Sequence, residues 1–416
     1  MGKLNKGSGV CGRLASRLCL FAVSSFPISL FRAAQIAYFS FICPVGIFPV
    51  LPFAPIPATI QFMHAHESLG QLFMVGIPHP TLDNDTRRLL HELRPGGVIL
   101  FRRNYTDPDT LAALCNDMHA LCPEHVPLIA LDHEGGRVHR LDPPFTHFPP
   151  AASLGQARSA ALARQVGQAM GQELGSTGID LDFAPVLDVL TNPGNTVIGD
   201  RAFAADPHLV ALLGCALARG LREGGVIPCG KHFPGHGATR VDSHDDLPRD
   251  ERSEDELMRV DLYPFRHASA ERLDMLMTAH ILYPALDPDL PATLSPLVIE
   301  GLLRRRLHFQ GVVVTDDLEM GAIVRHFTVA QAAVDALRAG ADLLLVCQSL
   351  ERALEARDAC ARALSDGTLS QQRVAEAQQR VTALKKAHAR QRSAPRQSIG
   401  APAHQQLVEE ILRQAA

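Results

Sequence analysis

The stretch KHFPGHGATRVDSHDDLP, Lys231 to Pro248, gathers three histidines, three aspartates, one lysine and one arginine into eighteen residues. Two glycines and two prolines interrupt any helical or strand period among them, so the segment reads as a loop. Imidazoles and carboxylates side by side suit proton transfer, and cations beside them suit charge-assisted hydrogen bonds to hydroxyl or carbonyl oxygens. More titratable residues stand at the ends of short apolar runs elsewhere: Asp132, His133 and Glu134; Asp182 and Asp188; Lys231 and His232; His280; Asp316 and Asp317. Any one of these is at home in a cap or a salt bridge, and Asp132 ahead of two glycines is an ordinary turn residue. Five run ends carrying acids, bases or cations are harder to explain as scattered surface charge.

Positioning such groups together requires a repeated strand. Apolar runs recur at LFMVGI from Leu72, GGVILF from Gly96, VPLIALD from Val126, IDLDFAP from Ile179, GVIPCGKHF from Gly225, LDMLMTAH from Leu273, GVVVTDD from Gly311 and ADLLLVC from Ala341. Runs without polar alternation are what parallel strands buried on both faces look like. Helix-period segments such as AALARQVGQAMGQELGSTG and HLVALLGCALARGLREGG lie between them. The expected fold is therefore α/β, a single (β/α)8 TIM-type barrel with a C-terminal helical extension, with its chemistry on the loops after the strands. A doubly wound sheet is the alternative, but no G-x-G-x-x-G follows the first run. The expected organisation is a barrel over residues 63–395 and a helical tail over 396–416, preceded by a leader over 1–62 that is not a domain.

In that leader, Lys3, Lys6, Arg13 and Arg17 precede the charge-free LCLFAVSSFPISLF, the order of charged and apolar regions found in an export signal. Pro44, Pro49, Pro52, Pro55 and Pro57 would repeatedly break a membrane-spanning helix in the next stretch. A more ordinary globular sequence begins at Met63, which is the expected start, with 1–62 an upstream in-frame extension and the protein cytoplasmic. A signal or anchor that exports the protein is the rival.

The formal net charge is −4, and 46% of residues are hydrophobic, so the basic footprint of a nucleic-acid binder is missing while core material is ample. The nine cysteines are odd in number and show no CxxC pair. Cys115, Cys122, Cys215 and Cys360 fall in Ala/Leu-rich helical runs, where a free thiol acts as a small hydrophobe in a reducing compartment.

With KHFPGHGATRVDSHDDLP, the segments LDHEGGRVHRL, GDRAF, MTAH and GVVVTDDLEMGAI complete a set that resembles glycoside hydrolase family 3, in particular its single-domain bacterial β-N-acetylglucosaminidases. The resemblance spans nearly all of residues 65–350. It implies a retaining exo-hydrolase that removes a non-reducing terminal N-acetylglucosamine, typically from 1,6-anhydro-N-acetylmuramoyl-peptides during peptidoglycan recycling in the cytoplasm. A related β-glucosidase or other exo-glycosidase is the alternative within the family. His133 departs from the pattern, since glutamine is commoner there.

By the same resemblance Asp316 is the nucleophile, His244 the proton donor and acceptor, and Asp242 the group that orients His244. Adjacent strand side chains alternate, so Asp317 is expected to point away from Asp316 and to play a supporting part. For Asp242 and His244 to converge the backbone must turn, and Gly235 and Gly237 are expected to give the loop that freedom. Asp132, Arg140, Arg201, Lys231 and His232 resemble the family's sugar clamp. His236 and Asp245 have weaker claims, because a loop histidine or aspartate is more often a hydrogen-bonder or a cap.

No metal or other cofactor is expected. His232, His236, Asp242, His244 and Asp316 are residue types that bind zinc, but the His-x-His of a metal-dependent barrel hydrolase belongs after the first strand, and His64 and His66 precede it. A catalytically silent carbohydrate-binding barrel would be expected to lack Asp316 or His244, and both are present. The expected partner is a small carbohydrate, a muropeptide, with no nucleic acid or membrane, and the expected state is a monomer.

Overall fold

The computed structural model describes residues 68–239, 242–243, 246–388 and 398–416. The 1–62 leader, the 395/396 boundary, His244 and Asp245 lie outside the described residues.

All eight apolar runs form strands: β1 Phe73–Gly76, β2 Gly97–Leu100, β3 Leu128–Leu131, β4 Leu181–Asp182, β5 Ile227–Phe233, β6 Met275–Thr278, β7 Val312–Asp317 and β8 Leu343–Val346. Each pairs in parallel with the next, and β8 returns to β1 with Val75 opposite Val346, so the sheet closes into the expected (β/α)8 barrel. Residues Val312–Thr315 and every residue of the other seven strands are buried, which is why these runs lack polar alternation.

The helices are α1 Asn84–Leu93, α2 Pro108–Leu121, α3 Ala151–Ala157, α4 Ala160–Gly175, α5 Pro207–Glu223, α6 Glu254–Arg259, α7 Leu262–Ala270, α8 Gly321–Val324, α9 Val329–Ala339, α10 Leu350–Ser365, α11 Gln371–His388 and α12 Pro402–Ala415. Their starts are written in the sequence. Asp107 and Asp206 each accept a backbone N–H at the head of α2 and α5, with proline in the first turn, where its missing N–H costs nothing. A wider-turned helix, Leu297–Arg306, precedes β7. Of the four cysteines in the Ala/Leu-rich runs, Cys115, Cys215 and Cys360 are buried, outside any disulfide, and Cys122 is half-buried.

Two departures from strict pairing matter for the site. The β5/β6 register shifts between Gly230 and Phe233, and the β7/β8 register shifts between Val314 and Asp317. Both lie at carboxyl ends of strands, where a bulge turns side chains off the period of two.

Helix α12 is tied to the barrel's helical layer. The Glu173 carboxylate on α4 lies 2.6 Å from His404 Nδ1 and accepts from Gly400 N at 3.2 Å, from Thr146 N at 2.8 Å and from Thr146 Oγ1 at 2.6 Å. Ile411 is fully buried against the α4/α5 cluster. At the opposite end from the loops, Lys385 of α11 donates to Gln71 Oε1 at 2.9 Å, two residues ahead of β1. Burial pushes its ammonium down to about 8. Among the described residues no helix is long and apolar enough to cross a membrane.

Candidate active site

At the carboxyl ends of the strands a cleft of about 280 Å³ opens, lined by residues from the ends of β2, β3, β5, β7 and β8 and from the β4–α5 connection. All five expected clamp residues, Asp132, Arg140, Arg201, Lys231 and His232, line it together with Asp316.

Charge alternates along one wall of this cleft. Lys231 on β5 is 2% exposed, with Nζ 2.6 Å from Asp132 Oδ1 and 2.6 Å from Glu134 Oε1. Arg201 donates through Nε and Nη2 to the two oxygens of Glu134, each at 2.8 Å, and Arg140 Nη2 stands 3.6 Å from Asp132 Oδ2. The order Arg140, Asp132, Lys231, Glu134, Arg201 holds three cations to two carboxylates, and Arg140 Nε is buried without a described partner. An uncharged, oxygen-rich ligand finds fixed donors there. Burial works against the charges at Glu134 and Lys231, but their partners outweigh it. Lys231 and Arg201 hold Glu134 well below the ordinary carboxylate range, while Asp132 and Glu134 hold the Lys231 ammonium above its usual value.

A second set of ties runs through Asp188, which is fully buried. It accepts His232 N at 3.2 Å and His236 N at 2.7 Å through Oδ1, and its Oδ2 lies 2.7 Å from His232 Nδ1. Burial opposes the Asp188 charge, and His232 and His236 outweigh it, so the carboxylate stays ionised. The proton of His232 then sits on Nδ1, which leaves Nε2 for a ligand. His236 is spent on structure: Nδ1 meets Thr239 Oγ1 at 2.8 Å and Nε2 meets Ser243 Oγ at 3.2 Å. Burial, then the neighbouring His232, push it down to about 4.

The loop after β5 is held more closely than its glycines suggest. A Cβ on Gly237 would lie 1.7 Å from the Val189 carbonyl oxygen, and Gly235 has φ of 136°. Asn195 donates to His236 O at 2.8 Å, Asn192 to Thr239 O at 3.1 Å, and Tyr283 Oη to Gly235 O. The two glycines thus serve close approach and a left-handed turn, which corrects the expectation that they loosen this stretch. Farther along, Asp242 is half-buried and Ser243 lines the cleft. Ala322 N donates to Ser243 O at 3.1 Å, which ties the loop to the start of α8. Asp246 is exposed, accepting from Leu247 N at 2.8 Å and lying 3.4 Å from His326 Nε2.

Asp316 and Asp317 both line the cleft. The β7 bulge interrupts the strict alternation of side chains here. Asp317 Oδ1 accepts from Glu319 N at 3.0 Å and Cys347 N at 3.1 Å. Burial pushes its carboxyl up to about 7.

Glu134 and Asp188 were visible as acids at strand ends, but nothing in the sequence gave them a task. Glu134 meets Arg201 across 67 residues of chain and Asp188 meets His232 across 44, distances that only the closed barrel removes. Among the described residues no three His, Cys, Asp or Glu side chains are grouped to hold a metal ion.

The sequence model of the glycosyl hydrolase family 3 N-terminal domain matches residues 65–384. A β-hexosaminidase of Thiobacillus denitrificans is 44% identical over 294 residues, covering 69% of this chain and 81% of that one. Another, from Methylococcus capsulatus, is 43% identical over 282 residues, 67% of this chain and 83% of its own. Among solved structures, a glycoside hydrolase family 3 β-N-acetylglucosaminidase from Paenibacillus sp. superimposes with a TM-score of 0.81 at 42% identity, covering 84% of this chain and 68% of that one. NagZ from Neisseria gonorrhoeae, in complex with N-trifluoroacetyl-D-glucosamine, gives 0.68 at 36% identity, covering 83% of this chain and 98% of its own. With a family match across the whole barrel and relatives above 40% identity, the chain belongs to glycosyl hydrolase family 3.

Proposed function

We propose that this β-hexosaminidase is a retaining exo-β-N-acetylglucosaminidase, acting on N-acetylglucosaminyl-1,6-anhydro-N-acetylmuramic acid and its peptides in peptidoglycan recycling. The observation that carries the mechanism is the placement of Asp316 at the end of β7, in the cleft walled by the Lys231–Asp132 ion pair and by Ser243, the residue before His244. In this reading Asp132, Arg140, Arg201, Lys231 and the Nε2 of His232 hold the terminal sugar by its hydroxyls and acetamido group, which brings the anomeric carbon to the Asp316 carboxylate. Asp316 attacks that carbon as the glycosidic bond breaks, and His244 gives its proton to the leaving oxygen. The glycosyl ester formed is then cleaved by water, whose proton returns to His244. Asp242 keeps the imidazole oriented and basic.

Support for a 2-acylamino sugar comes from the N-trifluoroacetyl-D-glucosamine bound by the Neisseria protein. In the same reading the enzyme is a monomer that begins at Met63.

The test begins with hydrolysis of an aryl N-acetyl-β-glucosaminide beside the matching β-glucoside, and of the anhydro-disaccharide, with the N-acetylated substrates preferred. His244→Ala should then impair the disaccharide far more than an aryl glycoside with an acidic phenol, which needs little protonation to depart. Azide needs no general base and should speed that variant on activated substrates, yielding a β-glycosyl azide. Equal losses on both leaving groups with no azide effect would assign the proton transfer elsewhere.

A further inference from the structure

We infer that His280 is a positioning residue that fixes the β7 bulge and thereby aims the Asp316 carboxylate at the anomeric carbon; this rests on Asp316 being the nucleophile. The bulge is the unusual element. Between Val314, opposite Leu343, and Asp317, opposite Leu345, β7 advances three residues while β8 advances two. Such an insertion removes regular ladder bonds at the residues that carry the chemistry, and something else must hold them.

Other hydrogen bonds take the place of those ladder bonds. Leu345 N donates to the Thr315 hydroxyl at 3.0 Å, and Leu318 N to Leu345 O at 2.9 Å. Asp317 N donates to Asp316 Oδ1 at 2.8 Å, which fixes one oxygen of the nucleophile against the backbone of the bulge. On the β6 side the Asp317 carbonyl is met by His280, whose Nε2 lies 2.9 Å away. A carbonyl oxygen only accepts, so Nε2 must carry a hydrogen.

His280 is itself rigid. It is 1% exposed and follows β6 by two residues, and its Nδ1 lies 2.8 Å from Thr293 Oγ1. That hydroxyl also lies 3.0 Å from Ala279 O and 2.9 Å from Thr278 Oγ1. The ring is thus clamped between a hydroxyl cluster and the backbone next to the nucleophile. It does not line the sugar cleft. Buried imidazoles in barrels are often structural, but this one bonds the main chain of the bulge, one residue beyond Asp316.

Removing that bond frees the end of β7 to relax toward regular pairing, which swings Asp316. A displacement of about 1 Å at a reacting atom costs on the order of 100-fold in rate. Ground-state sugar binding, which depends on the clamp from β3 and β5, is left alone.

The experiment compares wild type, His280→Ala and His280→Gln. Three readouts apply: kcat/KM for an aryl N-acetyl-β-glucosaminide, the inhibition constant of free N-acetylglucosamine, and the rate of covalent labelling by a slow 5-fluoro sugar. The expected result is a loss of about 100-fold in kcat/KM and in labelling rate for His280→Ala, with an unchanged inhibition constant. His280→Gln, whose Nε2 can donate to the same carbonyl, should recover most of the loss. Equal losses in the two variants, a loss confined to sugar affinity, or failure of both variants to fold would overturn the inference, because a positioning bond leaves the barrel intact. Label in the wild type on a residue other than Asp316 would instead overturn the nucleophile assignment itself.

Discussion

Glu134→Gln removes one charge and no volume from the middle of the alternating wall. Arg201 loses the ionised partner of its Nε and Nη2, and of its two carboxylates Lys231 keeps only Asp132. The Glu134 side chain is 5% exposed and that of Lys231 is 2% exposed, so solvent does little to compensate. Breaking a buried pair from one side costs about 3–5 kcal/mol. At roughly 2.1 cal/mol/K per residue over roughly 350 residues, the unfolding entropy near Tm is about 0.7 kcal/mol/K, so Tm should fall by about 5 °C. The pH dependence has a definite sign. Glu134 has a depressed folded value, so its contribution is present above the ordinary carboxylate range and fades as pH falls below it. The Tm difference between wild type and variant should therefore be full at pH 7 and narrow in acid. Activity should report the same change from the other side. With one of two compensating carboxylates gone, burial pulls the Lys231 ammonium down, and the alkaline limb of kcat/KM should move to lower pH. Scanning calorimetry from about pH 2 to pH 8 and a pH–rate profile on an aryl N-acetyl-β-glucosaminide make the measurement. An unchanged Tm at pH 7 with an unchanged alkaline limb would show that Glu134 is a bystander and that Asp132 alone holds Lys231.

Asp316→Asn should lose the chemical step by several orders of magnitude, and a 5-fluoro sugar should label Asp316 in the wild type; label on Asp317 would reverse the assignment. Asp317→Asn keeps the oxygen that accepts from Glu319 and Cys347, so turnover should persist. Because the Asp317 carboxyl is raised to about 7, its stabilising contribution is full below the ordinary carboxylate range and is lost as pH rises through 7; in urea titrations Asp317→Asn should remove that decline. His404→Ala strips Glu173 of its 2.6 Å partner and should lower the urea midpoint by about 1–3 kcal/mol equivalent, whereas an α12 that contributes nothing would leave it unmoved. A chain beginning at Met63 should fold and turn over like the full one, measured by solubility and kcat; loss of either would favour a working role for residues 1–62.

The barrel was legible because its strands are buried on both faces, so each run of β-branched and aliphatic residues is read without needing its neighbours. Strand-end chemistry was legible for the same reason, since the residue that ends such a run must emerge at the barrel mouth. What escaped was set by pairing. The period of two sets Asp317 apart from Asp316, but only the ladder against β8 reveals the extra residue between Val314 and Asp317 and the backbone amides that take the Asp317 carboxylate. Gly237 reads as freedom in a sequence, yet the Val189 carbonyl that crowds it comes from 48 residues earlier. The amphipathic pattern of 402–415 announces a helix without showing that His404 seeks Glu173 on α4.

The chain has only five lysines: Lys3 and Lys6 near its amino end, Lys231, Lys385 and Lys386. Lys231 is locked between two carboxylates in the cleft, while Lys386 is exposed and Lys385 is half-buried at the strands' amino ends. Reagents that couple to amines therefore find no accessible handle on the described face where sugar enters. Among the described residues, the amines open to such coupling, Lys385 and Lys386, lie at the barrel's base, away from its mouth. Arginine carries nearly all of the remaining positive charge, 35 residues, and is untouched by such chemistry. For the described barrel, coupling through amines is thus oriented by where its few lysines fall.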